Sequence, residues 1–211
     1  MHVVSVNVGG PREVEWLGRI VRTSIWKAPV EGPVRVATLN IDGDAQSDLK
    51  VHGGPEKAVY AYPSEHYDYW RRELGIDSLP WGAFGENLTT SGMTETAIAI
   101  GDRIRIGSAE LLVTQPRLPC FKLGIRFERE DMIKRFIRSG RSGFYLAVVQ
   151  EGVLAAGDGV EFVSRDSHGV TVADVARSED DSFDWRLLKR AIAVPALPES
   201  WKRHLRSRLK K

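Results

Sequence analysis

The sequence predicts a mainly β fold with interspersed helices, followed by a small helical module at the C-terminal end. Two observations carry that prediction. Residues 1–165 break into short alternating or β-branched segments separated by glycine turns, the pattern of a β-barrel or sandwich. After about Arg165 the pattern changes to apolar residues at helical spacing, which sets residues 166–211 apart as a helical module. A third observation narrows the class. The regular βαβ alternation of a dinucleotide-binding sheet is missing, as is any phosphate-binding glycine fingerprint.

The strand segments follow in order. Residues 3–8 and 34–37 come first, then 58–62, then 97–100 and 103–106 flanking Gly101-Asp102. Residues 110–114, 145–149 and 160–163 close the series. One helix is predicted after Pro63-Ser64-Glu65, with Tyr67, Trp70 and Leu74 on one face and Gly75 ending it. A second spans 131–139, with Met132, Ile133, Phe136 and Ile137 as its apolar stripe and Gly140 after it. In the C-terminal part, the acidic run Glu179-Asp180-Asp181 and Asp184 lead into Trp185, Leu188 and Ile192. Pro195 and Pro198 then precede a last helix with Trp201, Leu205 and Leu209 on one face and Lys202, Arg203, Arg206, Arg208, Lys210 and Lys211 elsewhere.

Composition excludes several classes. A chain of 211 residues, 42% hydrophobic, supports one substantial core and a small appendage. A net charge of +2 predicts neither a nucleic-acid nor a membrane partner. The basic face of the last helix reads as a solvated surface, with the acidic run as an internal or dimeric partner. One cysteine, Cys120, forms no internal disulfide and rules out a multi-cysteine zinc or iron–sulfur site, which fits a reducing compartment. The N-terminus alternates like a strand and lacks the features of a signal peptide. No apolar stretch approaches the roughly 20 residues that span a bilayer. A cytoplasmic protein is expected.

Three stretches carry more chemistry than regular structure demands. The first is Asp42-Gly43-Asp44-Ala45-Gln46-Ser47-Asp48 followed by His52-Gly53-Gly54-Pro55-Glu56-Lys57. Its glycines admit close backbone approach by an anion, and Lys57 stands at the start of a strand. Equally, it reads as a solvated turn capped by its Asp side chains. The second is Phe84-Gly85-Glu86-Asn87-Leu88-Thr89, where Asn87 both donates and accepts, or simply makes a turn. The third is Gln115-Pro116-Arg117-Leu118-Pro119-Cys120-Phe121-Lys122-Leu123. A lone cysteine is most often a small buried hydrophobe. Here Arg117 and Lys122 flank it, and a cation near the sulfur favours the thiolate, the form that binds metals.

These segments, in this order, resemble the MOSC domain, named for the C-terminal domain of molybdenum-cofactor sulfurase, and within it the bacterial YiiM-like subgroup. The resemblance covers nearly the whole chain, because the C-terminal helices resemble that subgroup's three-helix extension. It implies a MOSC-type β-barrel for residues 1–165 and a molybdenum cofactor (molybdopterin). It also implies reduction of N-hydroxylated compounds, including base analogues such as 6-hydroxylaminopurine. Cys120 corresponds to the family cysteine that ligates molybdenum. Lys57, Arg117 and Lys122 would face the anionic pterin phosphate and dithiolene, and His52, Gly53, Gly54, Asn87 and Gln115 are further cofactor-pocket candidates.

Two departures bear on the substrate. Phe121 stands where many relatives have tryptophan, and Phe144 and Ala147 stand where the subgroup has tryptophan and arginine. A soft thiolate suits molybdenum held otherwise by pterin sulfur. The chain shows no flavin, haem or nicotinamide site, so a separate flavoprotein must supply electrons. The alternative is a sulfur carrier or cofactor-handling protein with a persulfide on Cys120. Pyridoxal phosphate, through an imine on Lys57, has no other support in the sequence. The apolar stripe of the last helix packs on the barrel or on a second copy of the chain.

Overall fold

The structure, a computed structural model, describes residues 1–45, 53–179 and 184–209. Gln46, Ser47, Asp48 and His52 of the first motif, Asp180 and Asp181 of the acidic run, and Lys210 and Lys211 lie outside the described residues.

The strands are β1 (His2–Val8), β2 (Arg12–Trp16), β3 (Arg19–Thr23), β4 (Ala28–Pro29), β5 (Val34–Ala37), β6 (Asn40–Ile41) and β7 (Val59–Pro63) in the first part of the chain. They continue as β8 (Leu88–Ser91), β9 (Arg103–Ile106), β10 (Ala109–Pro116), β11 (Phe144–Gln150), β12 (Gly152–Leu154) and β13 (Val160–Ser164). The helices are α1 (Tyr67–Leu74), α2 (Phe121–Phe127), α3 (Met132–Ser139), α4 (Val172–Ala176), α5 (Trp185–Ala193) and α6 (Glu199–Arg208).

One eight-stranded sheet runs β13-β9-β10-β11-β7-β8-β1-β4, with a small β12-β5-β6 sheet and a separate β2–β3 ribbon. Every pair in the large sheet is antiparallel except β7–β8. A parallel pair needs a crossover, and α1 with the aromatic loop after it provides that connection. At the far end, Val3 donates to the Asp158 carbonyl at 2.9 Å and Gly157 donates to the Val3 carbonyl at 2.8 Å. An isolated bridge, His2–Gly159, joins them. The start of β1 thus meets the chain entering β13, but among the described residues no continuous ladder closes the sheet. The architecture is mixed α/β around a large curled sheet, and a closed barrel is not detected.

Residues 97–100, expected as a strand, form a turn with one isolated bridge, Ala99–Thr171. The Asp102 carboxylate accepts the Ala99 amide at 2.9 Å and folds the chain back before Gly101 can extend it. The β2–β3 ribbon was not expected at all. It turns through Leu17 and Gly18, both with positive φ, the two-residue turn that matches strand twist. The two-proline stretch after Gln115 leads into α2.

Two hydrophobic clusters result. The aliphatic one joins Val3, Val6, Ile104, Leu111, Val113 and Leu146 of the sheet to Val170, Val172, Leu188, Leu197, Trp201 and Leu205 of the C-terminal segment. Burying each such side chain stabilises by about 1.5–3 kcal/mol before entropy is counted. The segment after Arg165 therefore completes the sheet's own core. A Thr171–Asp174 capping box starts α4 there, and Trp201 Nε1 donates to Gln115 Oε1 at 2.9 Å. The second cluster is aromatic: Tyr60, Tyr62, Tyr67, Trp70, Phe84 and Phe136, with Leu123 and Met132. It packs α1, α2 and α3 against β7 and supports the site.

Candidate active site

A cleft with about 580 Å³ of empty space opens where β7, β10 and β11 end. Each wall is set by a local structural cause. Pro116 ends β10, and Arg117 follows, tied by its amide to the Gly143 carbonyl at 3.3 Å. Leu118 and Pro119 then carry the chain to Cys120, extended at φ −122°, immediately before α2. Cys120 is half-buried and Lys122, two residues on, is 9% exposed. Tyr60 comes from β7 and Tyr145 from β11, whose pairing with β10 is shifted by a bulge near Gln115. Gly143 adopts φ +61°, and a Cβ there would lie 2.5 Å from the Ala61 carbonyl oxygen and 2.8 Å from the Tyr60 ring, so only glycine lets these strands close on Tyr60.

The opposite wall comes from the segment after β3. Thr23, Ser24, Ile25 and Lys27 line it, with Ala45, Gly85 and Asn87 behind. Lys27 Nζ pairs with Asp44 Oδ2 at 2.6 Å, both side chains nearly fully buried. Asp44 also accepts the Gly9 amide at 3.0 Å and Asn87 Nδ2 at 2.9 Å. Asn87 Oδ1 in turn accepts the Tyr60 amide at 3.0 Å. Burial lowers the Lys27 ammonium from its ordinary value, and Asp44 opposes that shift. The neighbouring Glu86 is fully buried and accepts the Gly82 and Phe84 amides at 2.9 and 3.0 Å, the Thr89 hydroxyl at 2.9 Å and the Tyr67 hydroxyl. Burial raises its carboxyl above the ordinary range even so. Its role is to fix the loop that presents Asn87.

Arg117 is the most informative wall residue. The residue is 6% exposed, and its guanidinium carbon lies 4.9 Å from the Tyr60 ring centroid and 5.3 Å from that of Phe136. Burial pulls its pKa down, yet it remains above the ordinary value, so the guanidinium stays cationic. Its Nη1 is buried with no hydrogen-bond partner among the described residues. An orphaned buried donor of this kind costs about 1–3 kcal/mol unless a ligand satisfies it. Tyr60 and Tyr145 are pushed up by burial and stay neutral. Burial lowers Lys57.

The structure thus brings together Cys120, Lys57, Asn87, Arg117 and Lys122 of the residues expected from sequence. Asn87 reaches the cleft wall chiefly as a scaffold for Asp44 and Tyr60. Gly53 and Gly54 do not line the cleft, although Gly54 takes φ +102° where the chain turns into Pro55–Lys57. Gln115 faces away: its oxygen serves Trp201, and its amide nitrogen lies 3.5 Å from the Glu56 carbonyl. His52 lies outside the described residues. Sequence reasoning missed Lys27, Tyr60 and Tyr145 as wall residues. The two tyrosines lay in recognised strands next to motif residues, whereas nothing around Lys27 marked it.

Among the described residues no group of three or more His, Cys, Asp or Glu side chains could hold a metal. A metal at Cys120 would therefore bring most of its own ligands. The wall suits such a group: one thiol, a guanidinium whose Nη1 has no partner among the described residues, and the nearly buried Lys122.

Comparison with known proteins identifies the family. Residues 48–161 match the model of the MOSC domain, and residues 180–211 match that of the YiiM-like 3-alpha helix domain. The chain is 39% identical over 201 residues to YflK of Bacillus subtilis, covering 95% of this chain and 90% of that one. It superimposes on the crystal structure of YiiM from Geobacillus stearothermophilus with a TM-score of 0.82 at 35% identity, covering 99% and 98% of the two chains. A Gibberella moniliformis protein named reductase is 37% identical over 164 residues, 76% of this chain and 29% of that protein. The chain belongs to the MOSC family, in the YiiM-like branch that carries the three-helix C-terminal domain.

Proposed function

We propose that the cleft holds a molybdenum cofactor through Cys120 and that the protein reduces N-hydroxylated compounds. The observation that carries the reading is the orphaned Nη1 of buried Arg117 in the same cleft as a half-buried lone thiol. A cationic pocket of this make-up suits an anionic sulfur-rich ligand. When bound, the group supplies two-electron removal of oxygen from nitrogen. Overall, R–NHOH with two electrons and two protons gives R–NH2 and water.

This chain's residues would bind and orient. Cys120 would be the protein's thiolate ligand, with Arg117 favouring the charged sulfur. Arg117, Lys57 and Lys122 would pair with the anionic pterin portion. Lys27, already neutralised by Asp44, would shape the wall without adding net charge, and Tyr60 and Tyr145 would exclude water. The fungal relative named reductase favours redox chemistry. Electrons would come from a separate flavoprotein in the cytoplasm, where the thiol stays reduced.

The test is reduction of 6-hydroxylaminopurine by the metal-loaded protein with a chemical reductant. Wild type should turn over and Cys120→Ala should lose at least roughly 100-fold. Undiminished turnover in the variant would remove Cys120 from the mechanism, and a persulfide on Cys120 in pterin-free protein would favour sulfur transfer instead.

A further inference from the structure

Glu95, in the loop after β8, belongs to none of the three motifs and does not line the cleft, yet it is buried, at 4% exposed. Both of its carboxylate oxygens are used. Oε2 lies 2.7 Å from Nε2 of His66, immediately before α1, and Oε1 accepts the Gly143 amide at 2.7 Å. The Glu95 carbonyl also accepts the Ala173 amide of α4 at 2.9 Å, which fixes the loop from the C-terminal segment. Strand pairing of β11 begins at Phe144, so Glu95, rather than a neighbouring strand, takes the Gly143 amide.

Residues 141–143 form a strap behind two wall residues of the cleft. The Gly143 carbonyl accepts the Arg117 amide at 3.3 Å, and the Ser142 carbonyl accepts the Tyr60 hydroxyl at 2.9 Å. The Arg141 carbonyl accepts the Tyr62 hydroxyl at 3.3 Å. Arg117 is thus set twice: its main chain by Gly143, and its guanidinium by the Tyr60 ring, which is pinned at the hydroxyl. Burial first, and the charges of Glu86 and Glu95 in smaller part, raise the Tyr60 hydroxyl against Arg117, so it remains a donor to the strap. A buried ion pair holds two loops together no better than packed apolar groups, because both charges lose water. What a carboxylate adds is direction.

We propose that Glu95, oriented by His66, is a positioning residue for the cleft: through the Gly143 amide it sets the carbonyls that fix Arg117 and Tyr60. Its consequence for the cofactor rests on the molybdenum reading, whereas its action on the strap does not. Without the carboxylate the buried Gly143 amide loses its partner, and the chain around it must move to regain one. Arg117 would then no longer present its unpartnered Nη1 in one direction.

Two measurements decide it. Amide hydrogen exchange, on the protein as purified, should accelerate roughly 10-fold or more at Arg117 and Gly143 in Glu95→Ala, and change less than about twofold at Leu111 and Val113. Glu95→Gln keeps an oxygen for Gly143 and an amide for His66, and should restore the wild-type pattern. If Glu95→Ala does not fold, His66→Phe removes only the partner of Oε2 and should accelerate the same two amides roughly threefold. Unchanged exchange at Gly143 and Arg117, or equal acceleration throughout the sheet, overturns the proposal. The second measurement is release of bound pterin, followed by its fluorescence. It should be roughly fivefold faster from Glu95→Ala and within about twofold of wild type from Glu95→Gln. Equal release from Glu95→Ala and wild type would overturn the link from strap to cleft. Wild-type protein that carries no pterin would defeat the molybdenum reading, and the exchange pattern would then decide the role of Glu95 alone.

Discussion

The aliphatic and aromatic clusters share the β7–β8 region but differ in what lies at their edges. The aliphatic cluster is sealed by the C-terminal helices, and the Trp201–Gln115 hydrogen bond ties α6 to β10 there. The aromatic cluster backs onto the cleft, and buried charged or polar groups crowd its margin: Glu86, Arg117 and the Tyr60 and Tyr62 hydroxyls. Tyr60 donates to the Ser142 carbonyl at 2.9 Å, and Trp70 Nε1 donates to the Tyr62 hydroxyl at 2.6 Å. Aliphatic side chains fill space but orient nothing. Rings with polar ends both fill space and aim donors, which is what a site wall requires.

Paired truncations should separate the two roles. Phe84→Ala removes a fully buried ring that contacts Tyr62, Tyr67, Trp70 and Phe136, and should cost about 4 kcal/mol. Leu111→Ala in the aliphatic cluster should cost about 3 kcal/mol. Denaturant titration gives both values. Cofactor content of the folded fraction should fall only in the Phe84 variant, and equal content in both would erase the distinction.

Trp201→Phe keeps the ring burial but strands Gln115 Oε1, so a loss of about 1–2 kcal/mol is expected with cofactor content unchanged. Loss of cofactor in that variant would instead put Gln115 back in the site.

The smallest effect concerns pH. Glu151 takes the Thr38 hydroxyl and amide and the Arg35 guanidinium, which hold its carboxyl at about 2, below the ordinary 4.5. Because the folded value is depressed, its contribution is present above about 4.5 and fades as pH falls toward 2. Glu151→Gln should flatten the acid limb of thermal stability in that window while leaving the cleft intact. An unchanged acid limb would exclude the group.

Much of the site was legible because its residues are close in sequence to one another and to turn-forming prolines and glycines. Arg117, Cys120 and Lys122 fall within six consecutive positions, and the end of β10 delivers all three to one wall. Gln115 stood in the same run but could not be read, since its partner lies 86 residues away on α6. Lys27 was invisible for a related reason. The β2–β3 ribbon delivers it, and only the fold sets it against Asp44. The strand at 97–100 failed because the local carboxylate of Asp102 overrode an alternating pattern. The sheet was legible from its alternation, but its closure was not, because the contacts between β1 and the approach to β13 join the chain start to residues 157–160.

The most direct test of the central claim is molybdenum and pterin content, measured together on protein purified from cells supplied with molybdate. Wild type should carry both in near-equal amounts, and Cys120→Ala should lose the metal while remaining folded. Wild-type protein free of both, or a Cys120→Ala variant that retains molybdenum at the wild-type level, would contradict the assignment.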